Sequence, residues 1–273
     1  MGATREETGD AIPPSCAQEG KRRQLLMNRE ENTQLLLTTF SIVARCPRTG
    51  MVGVAVCTAV PAVGALCPFA QPGIGAIATQ SFVNPYLGID GLSLLKEGLN
   101  AEATVMQLLA NDTGRDVRQL SIVDHRGTAA AFTGKSCLPW CGHVVGDGYA
   151  VAANMMVDDT TVCAMTRTFE EMVKAELPER LLKALEAGDA TSGDYRGRQS
   201  AALLVYHTEA YPYRSLRVDE HRSPVAELRR IFTLSEQQLF PFVDALPTRE
   251  SPTGTELTGS EIGTLLRKPV DQR

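Results

Sequence analysis

The feature that most constrains this chain is how its apolar runs are grouped. Short β-like runs come two at a time around tight turns, and between those groups helical periods also come two at a time. Thr38–Arg45 and Met51–Thr58 flank CPRTG, a hairpin signature of two alternating runs around a Pro/Gly turn. Gly73–Gln80 is a third strand, rich in Gly and Ala, which implies close packing against it. Helical patterns cover Asp90–Gly98 and Ala101–Asn111, and a second hairpin spans Val117–Asp124 and Thr128–Thr133. Tyr149–Met156 is a strand. Thr160–Lys174 and Pro178–Ala187 are amphipathic helices, the second opening on a proline tolerated in the first turn. Ser200–His207 and Ser215–Val218 are strands, and Pro224–Phe232 is a helix capped by Ser223.

That order does not fit the strict alternation of a parallel sheet. It fits antiparallel sheets with helices segregated to outer faces. The strands are too apolar to leave one face in water. Two sheets packed on each other, each covered by helices, bury both faces, so the expected class is α+β, a four-layer α-β-β-α sandwich of two antiparallel sheets. The boundaries follow from composition. Residues 1–37 are rich in charge, Gly and Pro and read as a disordered extension, with a short helix over Lys21–Asn28. Residues 38–246 carry the fold, and 247–273 read as a flexible tail.

Composition narrows the function. A net charge of −5 with 5% aromatic residues argues against nucleic acid as a partner. No apolar run is long enough to span a membrane, and the start lacks a secretory pattern. Seven scattered cysteines, an odd number in a chain this long, suggest reduced thiols and a cytoplasmic setting. No phosphate-binding, dinucleotide or zinc-protease motif is present, so no cofactor is expected. Cys137, Cys141 and His143 are spaced suggestively, but no second ligand pair accompanies them, so no metal is expected either.

Several stretches together resemble a bacterial family known as domain of unknown function 1028, which is N-terminal-nucleophile hydrolase-like. They are TFSIVARCPRTG (39–50), VGALCPFAQPGIGAIATQSFVNPYLGIDGL (63–92), FTGKSCLPWCGHVVGDGYAVAANMM (132–156), GDYRGRQSAALLV (193–205) and RVDEHRSPVAELRR (217–230). The resemblance implies the same four-layer sandwich and brings no substrate with it; the leading expectation is an amidohydrolase cleaving a small non-peptide or short-peptide C–N amide bond. In such enzymes a Thr, Ser or Cys attacks the carbonyl while its own free α-amine takes the proton. Similar sequences begin Met-Thr-Phe-Ser, and the matching threonine here is Thr39, behind 38 residues. A free amine at Thr39 therefore requires cleavage of the Thr38–Thr39 bond or a start further downstream; a start at Met27 still leaves residues 27–38 ahead of it. Without either, the site is not of this type.

Ser41, on the same side of the strand as Thr39, is an oxyanion or relay hydroxyl. His143, in a glycine-rich stretch, is a candidate base. Gln80 and Asn84 are amide donors for a substrate carbonyl. Asn154 is polar at the end of an apolar strand, and Arg196 and Arg198 are either candidate carboxylate clamps or salt-bridge partners on a loop. Two departures stand out. Cys46 replaces an Asp common in relatives, and Cys57–Ala59 replaces polar or charged residues. They motivate an alternative, a catalytically degenerate binding or assembly protein that keeps the fold for its shape. The expected partner is a small-molecule amide, and flat helical layers are compatible with a homodimer.

Overall fold

Ten strands form two antiparallel sheets in this computed structural model, which describes residues 39–191 and 197–255 with the isolated positions 259 and 263. The larger sheet has the order β10-β9-β2-β1-β8-β7, from β1 (Thr39–Arg45), β2 (Val52–Thr58), β7 (Gly142–Gly146), β8 (Tyr149–Asn154), β9 (Ser200–Tyr206) and β10 (Arg214–Val218). The smaller has the order β3-β4-β5-β6, from β3 (Pro68–Gln71), β4 (Gly75–Ser81), β5 (Arg118–Asp124) and β6 (Ala129–Thr133). Helices α1 (Pro85–Lys96) and α2 (Ala101–Asn111) cover the small sheet. Helices α3 (Thr160–Glu171), α4 (Leu177–Asp189) and α5 (Pro224–Gln238) cover the large one, and the short α6 (Phe240–Asp244) follows α5. The four-layer α-β-β-α sandwich is the architecture that the grouping of strands and helices implies.

Strand alternation sorts the side chains into layers of different size. On β1, Phe40, Ile42 and Ala44 point toward α3–α5, where they pack with Met165, Phe169, Leu181 and Leu185. Val43 points the other way and meets Val54, Val56, Ala76, Ala78 and Ala150 between the sheets. The outer layers hold large residues because helix-on-sheet packing leaves room for them. The inner layer is mostly Val and Ala, so the two sheets approach closely. Each fully buried Leu, Ile or Phe contributes about 1.5–3 kcal/mol.

Three elements go beyond the sequence reading. β3 is a four-residue edge strand opening on Pro68, too short and polar to stand out. β7 pairs with β8 across the two-residue turn Asp147–Gly148, so the stretch around His143 is a strand and not a loop. Helix α1 starts at Pro85, five residues before the expected Asp90. Asn84 Oδ1 accepts from the Tyr86 N–H at 3.1 Å, and a proline suits the first helical position. Its early turns sit tight on β3, since a Cβ at Gly88 would lie 2.2 Å from the Phe69 ring.

The fold also extends past 246, with the Tyr211 hydroxyl donating to the Pro247 carbonyl and Thr255 N–H to Ala245. The expected N-terminal extension and its short helix lie outside the described residues. Cys46, Cys57, Cys67, Cys137 and Cys141 are free thiols, but Cys163 is disulfide-bonded, so the reading of reduced thiols fails there. No described helix is long and apolar enough to cross a membrane.

Candidate active site

One end of the inter-sheet layer is polar. Strand register brings it together from seven strands. Thr39 opens β1 opposite Thr58 at the end of β2 and Asn154 at the end of β8. On the facing sheet Gln80, near the end of β4, is the register partner of Gln119 on β5, which in turn faces Thr133 on β6. His143, on β7, pairs with Ala152. All of these project between the sheets, on the same side as Val43 and Val56.

Thr39 is buried, and its Oγ1 lies 2.9 Å from Thr58 Oγ1. Deeper in, Gln119 is the hub. Its Nε2 donates toward Thr133 Oγ1 (2.9 Å), Ala153 O (3.0 Å) and Gly142 O (3.1 Å), while its Oε1 accepts from Gln80 Nε2 (2.7 Å) and Asn154 Nδ2 (2.9 Å). Gln80 Nε2 also donates to Ala152 O at 3.3 Å. Thr133 Oγ1 is 2.8 Å from His143 Nδ1, which ties the histidine to the amides. A chain of side chains therefore runs from His143 through Thr133 and Gln119 to Asn154, the register neighbour of Thr39.

Four atoms in this region have no hydrogen-bond partner among the described residues: Ser41 Oγ, Ser121 Oγ, Gln80 Oε1 and Asn154 Oδ1. All four side chains are buried. Leaving such a group unpaired costs about 1–3 kcal/mol, so a cluster of them is retained for a reason other than stability. Backbone strain gathers at the same end. Ser81 directly follows Gln80 and has φ 66°, and Met155 directly follows Asn154 and has φ 58°. Each amide residue is thus succeeded by a left-handed non-glycine residue that turns the chain sharply off its strand, a conformation that costs about 1–3 kcal/mol.

The structure brings Thr39, Ser41, Gln80, Asn154 and His143 together and places Asn84 and Arg198 elsewhere. Asn84 is the cap of α1, with Nδ2 at a long 3.5 Å from Asp112 Oδ2. Arg198 is paired with Asp189 at 2.8 Å and lies over the Phe40 ring, on the helix-covered face of the large sheet. Arg196 is outside the described residues. The oxyanion role expected of Gln80 meets an obstacle, since both its N–H groups are committed to Gln119 and Ala152.

Of the two departures, Thr58 in the second lines this site, but Cys46 and Cys57 do not. Both pack in the layer under α3–α5, and Cys46 follows the far end of β1. Cys67 does reach the inter-sheet layer, but burial pushes its thiol to about 12, so it is no nucleophile. Burial raises the Cys141 thiol as well, with Cys137 adding to the effect. Among the described residues no group of three or more His, Cys, Asp or Glu side chains could hold a metal. A cleft of about 430 Å³ is lined by residues of α1 and α2, Asp90, Gln107 and Asp112 among them, and by none of Thr39, Gln119, His143 or Asn154.

Sequence reasoning missed Gln119, Thr133 and Ser121, and touched Thr58 only as part of the Cys57–Ala59 departure. A Gln and a Ser two residues apart within β5 are the available signal. The model of a family of unknown function, DUF1028, matches residues 39–228 and thus every strand of this site. The chain belongs to that family. A crystal structure of a DUF1028 protein from Silicibacter pomeroyi is similar, with a TM-score of 0.73 and 30% identity over 80% of this chain and 99% of that one. Anbu (ancestral beta-subunit) from Yersinia bercovieri aligns with a TM-score of 0.36 and 14% identity over 77% of this chain and 98% of that one. No curated protein matches the chain.

Proposed function

We propose that this DUF1028 protein is an amidohydrolase of N-terminal-nucleophile type, cleaving a small C–N amide with Thr39 once the Thr38–Thr39 bond is broken. The observation that carries this reading is the place of Thr39. It opens a central strand and projects between the sheets. There it meets a second threonine hydroxyl and a cluster of buried amides and hydroxyls. A nucleophile whose base is its own α-amine needs both groups at one strand end facing one polar space, and this end of β1 supplies that geometry.

In the reaction Thr39 Oγ attacks the carbonyl carbon and its proton passes to the α-amine. The negative charge that develops on the carbonyl oxygen is met by the Ser41 hydroxyl. The C–N bond then breaks, the departing amine takes the proton from the α-ammonium, and an ester to Thr39 remains. Water attacks that ester with the α-amine again as base, returning the Thr39 hydroxyl and releasing the acid. His143 acts at a distance, holding Thr133 and through it Gln119. The degenerate-protein alternative keeps part of its motive: Cys46 and Cys57 lie outside the site, but Thr58, in the same departure as Cys57, faces Thr39.

The test is mass spectrometry of the purified chain together with turnover of a panel of small amides. The expected result is a chain beginning at Thr39. Turnover should fall by at least about 10³ in Thr39→Ala, the scale of losing a nucleophile, and survive in part in Thr39→Ser. Full activity in a chain that still carries residues ahead of Thr39 excludes the mechanism.

A further inference from the structure

We infer that the polar end of the inter-sheet layer is built to take an uncharged –CO–NH₂ group, with Gln80 Oε1 and Asn154 Oδ1 accepting its N–H bonds and Gln119 as the positioning residue that aims them. This goes beyond an amidohydrolase of unspecified substrate to the kind of amide, and it rests on that reading only in taking Thr39 as the reacting group.

The orientation of three side-chain amides follows from backbone chemistry. One end of Gln119 lies 3.0 Å from Ala153 O and 3.1 Å from Gly142 O. Carbonyl oxygens only accept, so that end is the nitrogen and the other end is the oxygen. The oxygen is approached by Gln80 at 2.7 Å and Asn154 at 2.9 Å, so both present their NH₂ to it. Gln80 confirms its own orientation by donating to Ala152 O. Two carbonyl oxygens, Gln80 Oε1 and Asn154 Oδ1, are thereby forced to the opposite side, where no described residue partners them. The Ser41 and Ser121 hydroxyls are also unpartnered, and each can donate.

Two acceptors and two hydroxyl donors complement a planar –CO–NH₂ group: N–H onto the amide oxygens, C=O onto a hydroxyl. A carboxylate or phosphate would set its oxygens against Gln80 Oε1 and Asn154 Oδ1. An ammonium would be buried with amides, hydroxyls and His143 around it and, among the described residues, no carboxylate hydrogen-bonded into the cluster, which is strongly unfavourable. Arg198, the residue suited to an acidic substrate, is neutralised by Asp189 on the other face of the sheet. Primary carboxamides and terminal ureido compounds share the recognised group.

The experiment uses the full chain carrying Thr39→Val, so that binding is read without turnover. Propionamide, propionate and N,N-dimethylpropionamide are titrated by protein-observed NMR. Propionamide is expected to bind at least about tenfold more tightly than either analogue. Asn154→Leu should erase that preference, and Gln80→Leu gives the same reading should Asn154→Leu fail to fold. Asn154→Asp should move the preference toward propylammonium by supplying the missing counter-charge. Equal binding of propionate or the dimethyl amide, or no binding of propionamide, overturns the inference. Selective binding of propionamide by a protein whose unmodified form hydrolyses no amide keeps this inference and removes the hydrolase reading. Turnover that is indifferent to N-alkylation does the reverse.

Discussion

Strand β5 carries a buried polar residue near each end, and the two are treated in opposite ways. At one end Asp124 is 1% exposed and its carboxylate is fully engaged. Oδ1 accepts from the backbone N–H groups of Arg126 (2.8 Å) and Thr128 (3.0 Å), and Oδ2 from Ala101 (3.2 Å). It closes the β5–β6 turn and holds the start of α2. At the other end Gln119 is also fully buried, but the amides it holds and the nearby serines keep unpartnered atoms. A buried polar residue whose bonds are complete is scaffold. One whose neighbourhood leaves donors and acceptors over is the signature of a site, because folding alone gains nothing from them.

The largest expected effect tests the scaffold side. Asp124→Ala leaves three backbone N–H groups without their acceptor and should destabilise the protein by about 3 kcal/mol or more. Urea unfolding measures this directly. A loss below about 1 kcal/mol would mean that the turn re-satisfies itself and that the contrast between the two ends is overdrawn.

The same contrast explains what could be read in the sequence. The paired runs and helical periods gave away the layers, because burial on both faces leaves a pattern local enough to see. Thr39, Ser41 and Asn154 were visible as polar residues in or bounding apolar strands. Gln119 was not, although its strand was. When both faces of a strand are buried, alternation no longer separates core from solvent, and an inward Gln looks like an outward one. Its importance comes from register with Gln80 and contact with β6–β8, which are long-range facts. Asn84 shows the converse. It stood beside Gln80 in sequence, and helix capping, a local rule, had the stronger claim on it. The strand that carries His143 went unassigned, although Asp147–Gly148, a favoured two-residue hairpin turn, marks it.

A smaller effect concerns the rim of the polar end. Asp112 is paired with Arg118 at 2.9 Å, and Arg118 also donates to Phe82 O in the loop that follows Gln80. Burial tends to raise the Asp112 carboxyl, but hydrogen bonds from Arg118 and the Gly114 N–H, with the Arg118 charge, outweigh it and hold the group below the ordinary carboxylate value. A folded-state value below the unfolded one means that the stabilisation is complete above the unfolded value, near 4, and is lost as pH falls through the lower folded value. Asp112→Asn should therefore cost about 1–2 kcal/mol at neutral pH and flatten the acid limb of a stability–pH curve, which thermal melts across that range would show. An unchanged acid limb would mean that the rim pair does not hold the site's outer loop.

The smallest effect in free energy is the sharpest test of the comparison, because its sign is unusual. Ser121 lies one turn of alternation inward from Gln119 and is 1% exposed, with an unpartnered hydroxyl. Removing a satisfied buried hydroxyl normally destabilises. Removing an unsatisfied one abolishes a desolvation cost, so Ser121→Ala should leave stability unchanged or raise it by up to about 1 kcal/mol. The same substitution should weaken binding of propionamide, since the hydroxyl is one of the two donors available to its carbonyl. Stability gained and affinity lost in one variant is the trade expected of a residue kept for a ligand. A Ser121→Ala protein that is markedly less stable would show that the hydroxyl has a structural partner and belongs with Asp124. Unchanged stability with unchanged binding would remove it from the site.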